Sequence, residues 1–340
     1  MYSCKMKKYI IGFLPLSIKW LLRFCLRGPS LLRDFCYDAK RYIKWSSVIS
    51  FEKDREKILA VITATYHNIE KGMSLPNPRP LFGRVVIGQL VGSVDNFHLN
   101  FGPDPQLDVP INVLARYCQF NRSLGQPDSQ LEVIVDRLKK NNQSTLLRIN
   151  DGGVILRSKA EVLDAISGVK EDFFLMRHSV RQFTKDPIEH SVIEKAVRIA
   201  QKSPAVCNRQ SGKVRAILNP ELIRSTLQIQ GGARGFYEEV QALFCITVDL
   251  SNFNGAERYQ GWIDGGMFAM SFIYGLHLQG LGSCALNWSK TRKQDIEMRN
   301  HLRIPENELI IMFVAAGYLR ESFVVPQSYR KPLGEVLSYI

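Results

Sequence analysis

Arg177, Ser179 and Arg181 stand at alternate positions in the run Arg-His-Ser-Val-Arg-Gln-Phe at residues 177–183. In an extended segment successive side chains alternate faces, so these three can point the same way. Such a row suits a phosphate, because guanidinium forks bind its oxygens bidentately and a serine hydroxyl adds a donor. A lone Arg-x-Ser-x-Arg is equally the sequence of a solvated basic turn or a modification site, so the spacing alone leaves both readings open. A second polar run, Ser-Pro-Ala-Val-Cys-Asn-Arg-Gln at 203–210, follows about one helix later. Between the two runs, Asp186 and Pro187 read as an N-cap and a first helical position. Ile188, Val192, Ile193, Ala196, Val197, Ile199 and Ala200 then recur at helical spacing. The pattern predicts an anion-binding strand feeding a helix that ends at the Ser203–Pro204 turn and delivers Asn208 and Gln210.

The order of these pieces resembles the nitroreductase family of FMN-dependent oxidoreductases, whose domain opens with Arg-Arg-Ser-x-Arg-x-Phe and continues with Ser-Pro-Ser-x-x-Asn-x-Gln-Pro. Further matches follow in order. Trp-Ile-Asp-Gly-Gly-Met at 262–267 leads into an apolar run to Leu276, and Gly-Leu-Gly-Ser-Cys follows at 280–284. Val-Ala-Ala-Gly-Tyr at 314–318 and Ser-Tyr-Arg-Lys-Pro-Leu at 328–333 resemble the closing segments. The resemblance covers roughly residues 170–340. Some positions depart from it. Ala205 and Val206 replace small hydroxyl residues, Ser211 and Gly212 replace a Pro-Trp pair, and the usual asparagine of the long helix is Ser271 or Phe272. These departures are compatible with FMN binding and argue against ordinary nitroarene reduction.

The resemblance implies an α+β fold: a mixed, mainly antiparallel sheet flanked by helices, preceded here by a mostly helical N-terminal region. It implies strands near 214–218, 243–248, 283–287 and 309–316, and a buried dimer helix near 267–279. It assigns Arg177, Ser179 and Arg330 to the phosphate or ribityl end of FMN and Arg181 to the N1/O2 edge of the ring, with His178 also among the cofactor-binding residues. Pro204, Ala205, Asn208 and Gln210 would contact the flavin, usually from the partner subunit of a homodimer. Cys284, Ala285, Leu286 and Asn287 would pass over the ring edge near N5. NADH or NADPH would be the electron donor, to a small-molecule acceptor that the sequence does not identify. No side-chain acid or base is needed for the hydride step. An alternative is a catalytically specialised or silent flavoprotein acting as a partner in membrane-associated polysaccharide assembly. A flavin-consuming or dehalogenating relative is a further possibility.

Composition limits the other classes. The 340 residues are 45% hydrophobic and 23% charged, which describes a chain with a sizeable core. The net charge of +13 is concentrated: residues 1–45 hold ten Lys and Arg against two Asp. The rest is ordinary, no zinc-finger or RNA-recognition signature appears, and nucleic-acid binding is not expected. Seven cysteines without a Cys-x-x-Cys argue against a disulfide framework or structural zinc. The six histidines form no metal-ligating pattern, so no metal is expected.

Three regions are expected: 1–45, 46–168 and 169–340. In the first, Pro15 and Gly28-Pro29-Ser30 should delimit two basic amphipathic helices, near 16–26 and 31–45. Such helices can lie on an anionic membrane surface, giving a cytoplasmic protein held peripherally on the inner face, or can pack on the protein itself. In the second region helices are expected at 51–71, stopped by Gly72, and at 84–98, 110–121 and 129–140. His-Asn-Ile-Glu-Lys-Gly at 67–72 resembles a segment of nitroreductase-like proteins with long N-terminal extensions, some associated with bacterial surface polysaccharide synthesis. It is also an ordinary helix C-terminus.

Overall fold

A computed structural model describes residues 16–48, 53–143, 151–328 and 330–340. The chain opens with α1 (Leu16–Trp45), a single helix that contains Pro29. The expected break at 28–30 does not occur. Proline here forfeits one backbone bond, to the carbonyl four residues back, and the C-terminal half of α1 is held from outside. Tyr37 donates to Asp295 Oδ2 at 2.9 Å, and the Arg41 guanidinium donates to the carbonyls of Glu306 (2.9 Å) and Glu308 (2.7 Å). Ser47 N donates to Phe253 O at 3.0 Å. Of the two readings of this region, packing on the protein is realised from Asp34 to Ser47. Lys5, Lys7 and Lys8 lie outside the described residues.

Next come α2 (Arg55–Met73), α3 (Arg84–Phe101), α4 (Asp108–Ser123) and α5 (Ser129–Asn141), close to the expected spans. Asp54 and Asp128 cap α2 and α5 by accepting from Lys57 N and Leu131 N, both at 3.2 Å. Ile62, Leu90, Phe97, Leu114, Tyr117 and Leu138 form a core of their own between these helices. Gly72 does not stop α2 as expected but lies within its last turn. The Phe82 ring occupies the place a Cβ would take, so glycine is required for packing and not for termination.

Beyond α6 (Lys159–Ile166) and α7 (Asp172–Leu175) lies α8 (His190–Ala200). Its N-cap is Glu189, not Asp186. Thr184 N still donates to Tyr318 O at 3.0 Å, and Lys185 Nζ reaches Glu238 O at 2.8 Å. The extended segment therefore runs past Phe183, and the helix starts after it. Then follow β1 (Gly212–Ile217), α9 (Pro220–Gln230), β2 (Ala242–Asp249), α10 (Gln260–Leu278), β3 (Leu281–Asn287), α11 (Arg292–Leu302) and β4 (Glu308–Tyr318). The strands pair antiparallel in the order β1-β2-β4-β3. The parallel element of the sheet is one isolated bridge, Ser179 to Ser283. Helices with an antiparallel sheet, preceded by a helical region, are the α+β class that the sequence implied.

Every residue of β2 is buried, because both faces of the sheet are covered. Ala242, Phe244, Ile246 and Val248 pack with α8 and α10, while Leu243 and Cys245 pack on the opposite face with α9 and α11. Each large side chain so buried contributes about 1.5–3 kcal/mol. α8 and α10 approach so closely that a Cβ on Gly275 would lie 2.7 Å from Ala196 O.

Candidate functional site

Val180 and Phe183 fix the 177–183 segment: both are buried, one in each of two slots left by Gly282 and Gly317. Val180 N donates to Ser283 O at 2.9 Å, which lays the segment along β3. Val180 and Phe183 both turn inward although they differ in parity, so the run does not alternate strictly; Ser179 and Arg181 flank Val180 and are left less buried than it. Arg177, His178 and Ser179 are half-buried and Arg181 is exposed. Arg181 Nη1 donates to Ser179 O at 3.2 Å, and its guanidinium lies 5.9 Å from the Phe236 ring centroid. Among the described residues, neither Arg177 nor Arg181 has a carboxylate partner.

β3 is an edge strand, so part of its backbone faces outward. Ala285 and Asn287 are exposed and alternate with buried Cys284 and Leu286. Gln230 Nε2 donates to Asn287 O at 2.9 Å. Burial pushes the Cys284 thiol up, with the Arg181 charge acting against it. At neutral pH it is a protonated thiol, not a thiolate nucleophile. His277, in the last turn of α10, is held below its ordinary value mainly by burial. A hydrogen bond with the Phe173 backbone opposes that, and the charges of Arg177 and His178 add to it.

Pro204, Ala205, Asn208 and Gln210 sit elsewhere. Ser203 Oγ donates to Ala200 O at 2.7 Å, and Val206 N donates to Asp264 Oδ2 at 3.1 Å. Asp264 is buried and also accepts from Gln260 Nε2 at 2.7 Å. The turn it anchors has positive φ at Cys207 (48°), Asn208 (54°) and Gln210 (49°), an unusual density of left-handed non-glycine residues. Arg209 is tied inward by Glu257 Oε1 at 2.5 Å. The Ser211 hydroxyl is buried and has no hydrogen-bond partner among the described residues. A polar pocket of about 330 Å³ separates this turn from α2, and Glu56, Thr63, Tyr66, Asn208, Gln210 and Lys213 are among its lining residues.

The expected site therefore falls into two parts. Arg177, His178, Ser179, Arg181 and the Cys284–Asn287 strand come together at β3, on the side of the C-terminal end of α10. Pro204, Ala205, Asn208 and Gln210 lie at its N-terminal end, where Asp264 is. At about 1.5 Å per residue, Asp264 and His277 are roughly 20 Å apart along the helix. Arg330 joins neither part. It is exposed and donates to Ser328 O at 2.5 Å in its own loop. Sequence reading assigned no role to Asp264, Ser211 or the α2 residues facing the turn. Asp264 lay inside the quoted 262–267 motif, but its partner is 58 residues away and only folding brings them together.

The nitroreductase family's sequence model matches residues 175–230, which include both polar runs. The expected resemblance is thus carried by that segment. No curated protein is significantly similar to the chain in sequence. Among solved structures, an FMN-dependent nitroreductase from Clostridium difficile is 18% identical, covering 47% of this chain and 92% of its own, with TM-score 0.41. A nitroreductase with bound FMN from Bacteroides fragilis is 17% identical, covering 50% and 97%, with TM-score 0.42. A BluB-like flavoprotein from Clostridium difficile is 17% identical, covering 51% and 100%, with TM-score 0.42.

Proposed function

We propose that the nitroreductase-like segment 175–230 and strand β3 hold flavin in an FMN-dependent oxidoreductase, one that takes hydride from NADH or NADPH and passes it to a small-molecule acceptor. The observation that carries this reading is the pair Arg177 and Arg181. Both lack a carboxylate partner among the described residues, and both lie beside the outward edge of β3. Unpaired guanidinium groups flanking Ser179 fit the phosphate end of FMN. The cation of Arg181 favours negative charge arriving at the N1/O2 edge. Outward backbone groups at Ala285, and the N–H of Asn287, whose carbonyl already accepts from Gln230, offer hydrogen bonds to the ring edge. FMN, when bound, supplies N5 as the hydride carrier. The chain's own part is to bind, orient and bias, and the protonated Cys284 thiol adds packing without nucleophilic chemistry.

The two-part arrangement supports a homodimer as part of this reading. One chain presents the Arg177 group and the other the turn with Asn208 and Gln210. Phe174, Leu175, Met176 and Leu278 are exposed apolar residues near the C-terminal end of α10, and Leu333, Val336 and Tyr339 are exposed in the C-terminal arm. A second copy would cover such a surface. Among the described residues no helix is long and apolar enough to cross a membrane. Leu31, Leu32 and Phe35 are nonetheless exposed beside Arg33 and Lys40, which suits peripheral attachment to an anionic surface.

The test is an absorbance spectrum of the purified protein followed by anaerobic titration with each nicotinamide. Bound FMN and its reduction are expected. A colourless protein that FMN cannot reconstitute would falsify the proposal. Bound FMN that neither nicotinamide reduces would instead indicate a silent flavoprotein.

A further inference from the structure

A strongly cationic cleft lies away from the flavin segments. It measures about 580 Å³ between α1 and α11, and Arg33, Lys40, Arg41, Lys44, Arg292 and Arg299 converge into it. Glu306 is the one acidic residue lining it. Some of these cations are satisfied. Lys44 pairs with Glu306 at 2.6 Å, and Arg299 Nε with Asp295 Oδ2 at 2.6 Å. Arg41 donates to the carbonyls of Glu306 and Glu308 and lies 3.9 Å from Asp295. Arg33, Lys40 and Arg292 have no carboxylate partner among the described residues.

A second, independent observation concerns Arg299. Its residue is 6% exposed; its Nη1 donates to Pro305 O at 3.0 Å, and its Nη2 is buried with no hydrogen-bond partner among the described residues. A buried guanidinium N–H left unpaired is costly, and negative charge brought close to the group offsets part of that cost. Arg41 is close enough that, after burial itself, Arg299 is the next cause lowering its pKa. Asp34, Asp38, Asp295 and Glu306 lie beside these six cations, so the two crowded, largely buried arginines and the three cations without a carboxylate partner at the mouth leave the site with a surplus of positive charge. Ile296 and Ile304 supply an apolar wall.

We propose that this cleft binds a phosphate ester, with the phosphate oxygens accepting from the exposed Lys40 and Arg292 in front of the buried Arg41 and Arg299 guanidinium groups, and the organic group lying against the isoleucines. The volume falls within the range of about 300–1,000 Å³ typical of small-molecule sites. None of the lining residues belongs to the flavin set, so the two sites are separable. A soluble phosphorylated compound and a phospholipid headgroup share this chemistry.

The probe is inorganic pyrophosphate, titrated calorimetrically into the full-length flavin-loaded protein at low salt. Saturable binding at one per chain is expected. The double variant Lys40→Glu and Arg292→Glu should weaken it by at least about tenfold, since two attractive charges become repulsive. Circular dichroism and the flavin spectrum should be unchanged, because both residues are on the surface of the cleft. A second arm uses phosphatidylcholine vesicles with and without phosphatidic acid. Release from phosphatidic acid vesicles by pyrophosphate assigns the cleft to a headgroup, whereas pyrophosphate binding without such competition assigns it to a soluble ester. No pyrophosphate binding, or equal binding by the folded double variant, overturns the proposal.

Discussion

Replacing Asp264 with alanine tests whether this carboxylate sets the geometry of the 203–210 turn. The substitution removes the acceptor of Val206 N and of Gln260 Nε2. Gln260 is only half-buried and can turn to water, so the main loss is the Val206 contact. A hydrogen bond to a charged group contributes about 1.5–3 kcal/mol. Taking about 2 kcal/mol, the melting temperature should fall by roughly 4–8 °C for a domain of this size. The turn also contains three left-handed residues whose strain persists only while their surroundings hold them. Released, they should take Asn208 and Gln210 out of position. FMN affinity, read by quenching of flavin fluorescence, should then drop about tenfold, equivalent to about 1.4 kcal/mol. Asp264→Asn, which keeps one oxygen acceptor, should lose less than alanine in both measurements. A melting temperature within about 1 °C of wild type, together with unchanged FMN affinity, would refute the anchoring role.

Gly275→Ala should destabilise the protein by about 1–3 kcal/mol, because the new methyl meets the backbone of Ala196 and neither helix can yield cheaply; chemical denaturation measures this. Stability should fall in acid. Asp249, Asp295 and Glu308 all have depressed pKa values, since their ion pairs and hydrogen bonds outweigh a burial effect that acts to raise them. Their contribution is complete above the ordinary carboxylate range and is lost as pH falls through the depressed values, so melting temperature should decline below about pH 4. Glu308→Gln should be less stable at pH 7 and show a shallower decline. Mixing inactive Arg177→Ala and Asn208→Ala proteins should restore some flavin binding, detected by absorbance, if two copies share the site; no recovery in verified mixed dimers counts against a shared site.

Periodicity made much of this architecture legible. The helices at 84–98, 110–121 and 129–140 were visible because buried apolar residues recur with the spacing of one element, and the four strands were placed by the family resemblance. The errors arose where local signals compete with tertiary contacts. Pro29 reads as a break, yet Tyr37 and Arg41 hold the helix together from its far side. Asp186 and Pro187 read as a helix start, yet the segment is still bonded to β4 there. Gly72 reads as a stop, yet the Phe82 ring needs its missing Cβ. The 177–183 run reads as alternating, yet Val180 and Phe183 both turn inward because Gly282 and Gly317, each more than a hundred positions later, leave slots for them. Likewise, nothing in the order of residues says that the two polar runs end up at opposite ends of α10.

The bridge between Ser179 and Ser283 has a consequence for solubility. β3 is the outer strand of its sheet, and an uncovered outer strand invites another chain to add on by backbone pairing. The 177–183 segment covers part of that border, with Val180 N taking the Ser283 carbonyl and two bulky side chains seated in glycine slots. The same residues that present Arg177 and Arg181 therefore also guard against self-association in the wrong register. Changes that loosen Val180 or Phe183 should produce aggregates as well as an empty site, whereas changes confined to the two arginines should leave the border closed.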